Sequence, residues 1–271
     1  MRIEDKGSVA FLALLNLLFV FALFLSGLTN GFLSTIIYIF AFILPIAIGF
    51  KESKSKNNDG DFLGFDGVSK ALPFVVPTLV LVMAIAYVTS ISMMAITHKT
   101  NDADLGSNIF IAVLTHALAP AILEEAVFRY IPLRVMKGEG RVTAIFASAI
   151  FFSLMHHNFF SMPYAFVAGL IFMALDMYVG SIWPSVIIHF LNNALSVLWY
   201  FYGESMVFVS VVLSMLAIFA VASIIYIILN KEKYRKNVVD LLSEKLEIKS
   251  TTEVWIFACS MILIAIMELF T

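Results

Sequence analysis

The stretch MVFVSVVLSMLAIFAVASIIYIIL, Met206 to Leu229, contains no charged side chain. A hydrocarbon layer of about 30 Å needs about 20 predominantly apolar residues to cross it as a helix, and this run is long enough. Working outward, eight further apolar runs of comparable character are separated by charged or turn-rich breaks. The nine extend from Val9 to Leu28, Phe32 to Phe50, Leu72 to Ile96, Asn108 to Met136, Val142 to His157, Pro163 to Tyr178, Ile182 to Tyr202, Met206 to Leu229 and Glu253 to Phe270. The fifth and sixth are short. The 271-residue chain is 61% hydrophobic and 13% charged, an apolar excess no water-soluble core could hide. The expected fold is all-α: a polytopic transmembrane helical bundle of about eight to nine helices, forming a single membrane-embedded domain over residues 1–271.

Basic residues are distributed unevenly. Lys51, Lys54, Lys56 and Lys70 lie in the second connection, Arg134, Lys137 and Arg141 at the fourth, and Lys231, Lys233, Arg235, Lys236, Lys245 and Lys249 in the eighth, whereas odd-numbered connections carry only Lys99. The positive-inside rule then predicts a cytosolic N-terminus in the cell membrane, or in the endoplasmic reticulum membrane of a eukaryote. Nine crossings put the C-terminus outside, and one re-entrant segment would return it inside. The first run lacks a small-x-small cleavage pattern and is expected to stay as an anchor. Hydrophilic connections are expected near 51–70, where Phe62, Leu63 and Phe65 could dip into the interface, and near 231–250. In the latter, Val238, Val239, Leu241, Leu242, Leu246 and Ile248 recur at near-helical spacing, as in an amphipathic surface helix. Trp183, Trp199 and Trp255 fall near span ends, which suits an aromatic belt.

An ionisable side chain in hydrocarbon costs about 2.5–3.5 kcal/mol on insertion scales, so each one asks for a partner or a purpose. They are few: His116, Glu124, Glu125 and Arg129 in the fourth run, His156 and His157 ending the fifth, Asp176 in the sixth, and His189 with Asn192 and Asn193 in the seventh. On a helix Glu125 and Arg129 share a face in the favourable acid-before-base order, while Glu124 is turned about 100° away. A carboxylate with no cationic partner in a low-dielectric pocket is the kind of group a general base acting on water requires. Pro120 is expected to kink the helix beside it. His189 and Asn193, also four apart, present an imidazole and an amide from one face, which suits either an oxyanion hole or an interhelical polar clamp. Asn192 lies near that face as well. At 1.5 Å per residue, His156, Glu124 and His189 lie about 20, 18 and 10 Å into their spans, so all three can meet in one cavity if the fifth span tilts. Asp176 stands apart from this set, and pairing with a histidine or facing a wet cavity is expected for it.

Glu124, Glu125 and Arg129, then Phe152 and His156, then His189 and Asn193 follow one another over about 70 residues. In order and spacing they resemble Glu-Glu-x-x-x-Arg, Phe-x-x-x-His and His-x-x-x-Asn, the signature of the CAAX protease and bacteriocin-processing (Abi) family of membrane proteases. Phe151 before Phe152 and the doubled His156 and His157 are similar to the branch of type II CAAX prenyl endopeptidases, the Ras-converting enzymes. The resemblance implies an intramembrane endopeptidase that removes the last three residues after a prenylated cysteine, farnesylated or geranylgeranylated, at a protein's C-terminus. It implies that Glu124 activates water with help from His156, that His189 and Asn193 stabilise the oxyanion, and that Glu125 and Arg129 hold Glu124; His156 and His157 are alternatives for the assisting histidine, and the spacing from Phe152 counts to His156. No metal, no other cofactor and no nucleic-acid partner is expected, the partners being prenylated C-termini and the lipid bilayer.

Two competing readings use the same residues. Two histidines and a glutamate can bind zinc with an open water position, but no His-Glu-x-x-His spacing occurs and Arg129 would oppose a cation. A transporter or scaffold could use the buried charges to relay protons or bind a partner. The single cysteine, Cys259, offers neither a disulfide framework nor a metal cluster.

Overall fold

The computed structural model describes residues 40–49, 62–97, 105–136, 140–156 and 161–243, with the single positions 18, 21, 22, 25, 37 and 51. The described residues form helices and connecting turns, with no strand among them. We number the helices α1 (Phe40–Gly49), α2 (Leu72–Thr97), α3 (Ile109–Arg134), α4 (Arg141–Met155), α5 (Met162–Val179), α6 (Trp183–Tyr202), α7 (Met206–Leu229) and α8 (Lys231–Leu242). Among the described residues, four helices are long and apolar enough to cross a membrane: α2 with the turn before it, α3, α5 and α7. The chain is therefore a membrane protein. The expected first and ninth runs, together with Trp255 and Cys259, lie outside the described helices, apart from a few positions of the first run.

Helix α3 is one continuous rod containing two π-helical turns, Leu114–Leu118 and Ala126–Tyr130. Each closes just ahead of a proline, Pro120 or Pro132. Proline has no N–H, so the carbonyl four residues earlier loses its helical donor, and a widened turn accommodates the change. The Ala119 N–H reaches Leu114 O and the Ile131 N–H reaches Ala126 O, one residue further back than in an α-helix. The sequence predicted a kink at Pro120; the helix answers with a widened turn there and repeats the device at Pro132.

The short helices α4 and α5 pack most closely. A Cβ added at Gly169 would lie 2.7 Å from Ala149 Cα, so only glycine permits this approach. Small residues at such a crossing let backbones meet where no hydrophobic force separates helix from lipid. Ser153 Oγ donates to Met162 O at 2.8 Å, tying the end of α4 to the start of α5.

The connections before α2, between α5 and α6, and after α7 gather at one end of the bundle. Ile182 N donates to Phe62 O (3.0 Å), Ser181 Oγ to Gly64 O (2.6 Å) and Trp183 Nε1 to Leu63 O (2.7 Å), while Phe65 stacks on Trp183 with ring centroids 4.3 Å apart. Residues 62–65 thus strap the α5–α6 turn, and Trp183 is held by protein contacts as well as by its place near a span end. Tyr234 of α8 is buried edge-on against Phe74 of α2 (5.2 Å) and Tyr178 of α5 (6.3 Å). A helix forms over Lys231–Leu242, with Tyr234 buried and Val239 exposed; the other apolar residues expected to anchor it, Val238, Leu241, Leu242, Leu246 and Ile248, lie outside the described side chains.

Candidate active site

Glu125 and Arg129 sit on α3 one turn apart, both fully buried, with Arg129 Nε 3.1 Å from Glu125 Oε2. The contact is an ion pair without hydrogen-bond alignment. The guanidinium lies 4.3 Å from the Phe152 ring centroid and 5.5 Å from that of Phe172, so two aromatic faces supply the cation's remaining surroundings. Its Nη1 also donates to Phe128 O at 3.2 Å, and Ser148 Oγ donates to the same carbonyl. Phe128 O is the acceptor that Pro132 deprives of its helical donor. The proline that widens the turn therefore also creates the acceptor that fixes the arginine.

The other oxygen of Glu125 faces α6. His189 Nδ1 lies 2.7 Å from Glu125 Oε1, which as a carboxylate can only accept, so Nδ1 carries the proton. On the opposite edge of the ring, His189 Nε2 is 3.7 Å from Glu124 Oε2. That is too long for a hydrogen bond and short enough for one water to bridge. The sequence reading had Glu125 and Arg129 holding Glu124; in the structure Glu125 joins Arg129 to His189, and His189 stands between the two glutamates. Phe152 and Phe172, with centroids 5.8 and 6.1 Å from the imidazole, box the same ring.

His156 ends α4, and its Nδ1 bonds the Phe152 carbonyl at 2.9 Å. A carbonyl accepts, so Nδ1 again carries hydrogen, and when the ring is neutral Nε2 is its acceptor edge. The ring packs edge-on against Phe152 (5.1 Å) and Tyr164 (6.0 Å). His157 lies outside the described residues.

Glu124, His156, His189, Asn192 and Asn193 line one cavity of about 940 Å³, whose remaining walls include Val82, Phe152, Ala168, Phe172 and Val197. The α6 contribution follows from helical spacing: His189, Asn192 or Asn193, and Ser196 recur three to four apart on one face. Both asparagines reach the cavity, with Asn192 Nδ2 donating to Asn193 Oδ1 at 3.2 Å. Sequence reasoning left out Tyr164, Tyr200 and Thr115, which also line it, and named His116 as an ionisable residue of the fourth run without assigning it to the site. For His116 a signal existed, since it lies eight residues, about two turns, before Glu124 on α3. Among the described residues, no group of three or more His, Cys, Asp or Glu side chains is arranged to hold a metal ion.

Asp176 departs from both expectations. It is fully buried, neither lines the cavity nor meets a histidine, and accepts from Ser185 N (3.1 Å) and Ser185 Oγ (2.6 Å).

Fold and site together define a helical membrane protein with a polar pocket of carboxylates, imidazoles and amides set into an apolar, aromatic shell. Residues 106–195, from the approach to α3 to the middle of α6, match the family model described as type II CAAX prenyl endopeptidase, Rce1-like. This segment contains every motif residue named above. No curated protein and no solved structure matches the chain.

Proposed function

We propose that the chain is an intramembrane endopeptidase that hydrolyses the peptide bond after a prenylated cysteine, releasing the C-terminal tripeptide, with water activated by Glu124. The Rce1-like segment supports CAAX protease chemistry in general. The observation that carries the finer reading is that a carboxylate, three imidazoles and two amides from three different helices share one cavity with apolar walls. About 300–1,000 Å³ is usual for small-molecule pockets, so 940 Å³ is ample for a peptide terminus with part of its lipid chain.

In this reading a water held between Glu124 and the acceptor edge of His156 gives its proton to the Glu124 carboxylate as its oxygen attacks the carbonyl carbon. The C=O electron pair moves onto oxygen. His189, protonated on both ring nitrogens, donates from Nε2 to that oxyanion while Nδ1–H stays on Glu125, and an α6 amide donates beside it. Collapse breaks the C–N bond, and the departing amine takes the proton back from Glu124. The products are a prenylcysteine carboxylate and a free tripeptide. Water is available because the cavity is polar on this side, and the apolar walls suit the isoprenoid. Prenylated C-termini and the bilayer are then the partners, and the connections gathered around α8 are assigned to the cytosolic face by their basic residues.

The test is mass spectrometry of a farnesylated CAAX peptide and its unprenylated counterpart incubated with purified full-length protein. Cleavage after the farnesylcysteine alone, unchanged by a chelator, is expected. Activity lost to the chelator and restored by zinc would replace carboxylate-activated water with a metal mechanism. No cleavage of either peptide would favour the transporter or scaffold reading.

A further inference from the structure

Asp176 is a fully buried acid that the proposed reaction does not use. It lies in the last turn of α5, and its carboxylate reaches across to the first turn of α6, the helix that carries His189 four residues after Ser185. That turn is otherwise poorly capped. Its N-cap residue is Ile182, with no side chain to accept a hydrogen bond, and Pro184 follows. The first amide, Trp183 N, reaches Ser181 Oγ at 3.3 Å, and Ser185 N is satisfied by Asp176 Oδ1. An N-cap normally comes from the helix's own chain just before it; here the preceding helix supplies an acid, which also suits the positive end of the helix dipole. The Asp176 backbone carbonyl holds the turn itself, accepting from Gly180 N (2.7 Å) and Ser181 N (3.2 Å), with Gly180 at φ +80°.

One residue thus closes α5 with its carbonyl and seats α6 with its carboxylate. Both contacts bear on how α6 is rotated about its axis. Ser185 and His189 lie on one face, and the Ser185 side chain lies beside Glu125, the group that holds His189 Nδ1. A small rotation of α6 would withdraw His189 from Glu125 and move Nε2 away from Glu124.

We propose that Asp176, acting through Ser185, is a positioning residue that sets the rotation of α6 so that His189 stands between the two glutamates. As a role in cleavage this rests on the function proposed above. The hydrogen bonds call for an acceptor of carboxylate shape and do not require its charge, so asparagine can serve: its Oδ1 accepts from Ser185 N and its Nδ2 donates to Ser185 Oγ.

The experiment compares kcat and KM for a farnesylated peptide in full-length wild type, Asp176→Ala, Asp176→Asn and Ser185→Ala, alongside the nitrogen-15 resonance of His189 Nδ1. A misplacement of about 1 Å can cost about a hundredfold in rate, so Asp176→Ala is expected to lose about that much kcat with KM changed less than about twofold. Asp176→Asn is expected to restore kcat to within about threefold of wild type, and Ser185→Ala to lose about tenfold. The His189 signal should shift in both alanine variants and stay in place in the asparagine variant. If Asp176→Ala does not fold, Ser185→Ala, which removes only a hydroxyl, carries the test. Wild-type kcat and an unmoved His189 signal in the alanine variants would overturn the proposal, as would an asparagine variant no better than alanine. Should the wild type cleave no farnesylated peptide while the His189 signal still moves in Asp176→Ala, the cleavage reading fails and the positioning of α6 stands.

Discussion

Helices α7 and α3 are similar in length, 24 and 26 residues, and both are apolar enough to cross a membrane, yet their surroundings are opposite. In α7 one residue, Ala220, is buried, while Val207, Val211, Ile218, Phe219 and Ile228 are exposed where lipid would lie. In α3 the buried residues include Glu124, Glu125 and Arg129, and the backbone widens twice. Lipid asks of α7 only that it be apolar. The interior of the bundle asks of α3 that each polar group meet a particular partner, and that is where chemistry can be held.

The largest effect expected from breaking this contrast is on α3. Glu124→Ala should lower peptide cleavage by about 10²–10⁴-fold, the usual range for a general base, with the thermal midpoint of the solubilised protein little changed. Turnover within a few-fold of wild type would remove Glu124 from the mechanism. Next comes Arg129→Met, which leaves buried Glu125 with His189 but without its guanidinium partner and should destabilise the protein by about 3–5 kcal/mol in a reversible unfolding assay. Equal stability would mean that the arginine is not needed to compensate the buried acid. Ser148→Ala removes a donor to Phe128 O and should cost about 0.5–1.5 kcal/mol, because Arg129 still donates there. At the other extreme, Phe219→Leu on the exposed face of α7 should change stability by less than about 0.5 kcal/mol and leave cleavage unaltered. A loss comparable to that of Arg129→Met would mean that this face is covered by protein.

The same contrast explains what could be read beforehand. The bounds of α7 are those the apolar run predicted, Met206 to Leu229, because a lipid-facing helix answers to composition alone. The Glu125–Arg129 pair was legible because it is local, one helical turn. The contact between His189 and Glu125 joins residues 64 positions apart, and no periodicity encodes which of two adjacent glutamates an imidazole will meet. The sequence therefore allowed Glu124, His156 and His189 to meet in one cavity and paired Glu125 with Arg129, but did not reveal that His189 is the second partner of Glu125. Asp176 was misjudged for a related reason: its partner is a backbone amide and a hydroxyl across a tight turn, which leave no charged counterpart to search for. The π-turns had a local cue in Pro120 and Pro132, but proline signals a lost donor without saying whether the helix bends or widens.

The most direct measurement of the central claim is the isosteric change Glu124→Gln, followed by both binding and single-turnover cleavage of a farnesylated CAAX peptide. A carboxylate that takes a proton from water cannot be replaced by an amide, so the account predicts a variant that binds the peptide with wild-type affinity and releases no tripeptide. Tripeptide release by Glu124→Gln at a rate within about tenfold of wild type, well short of what a general base contributes, would contradict it.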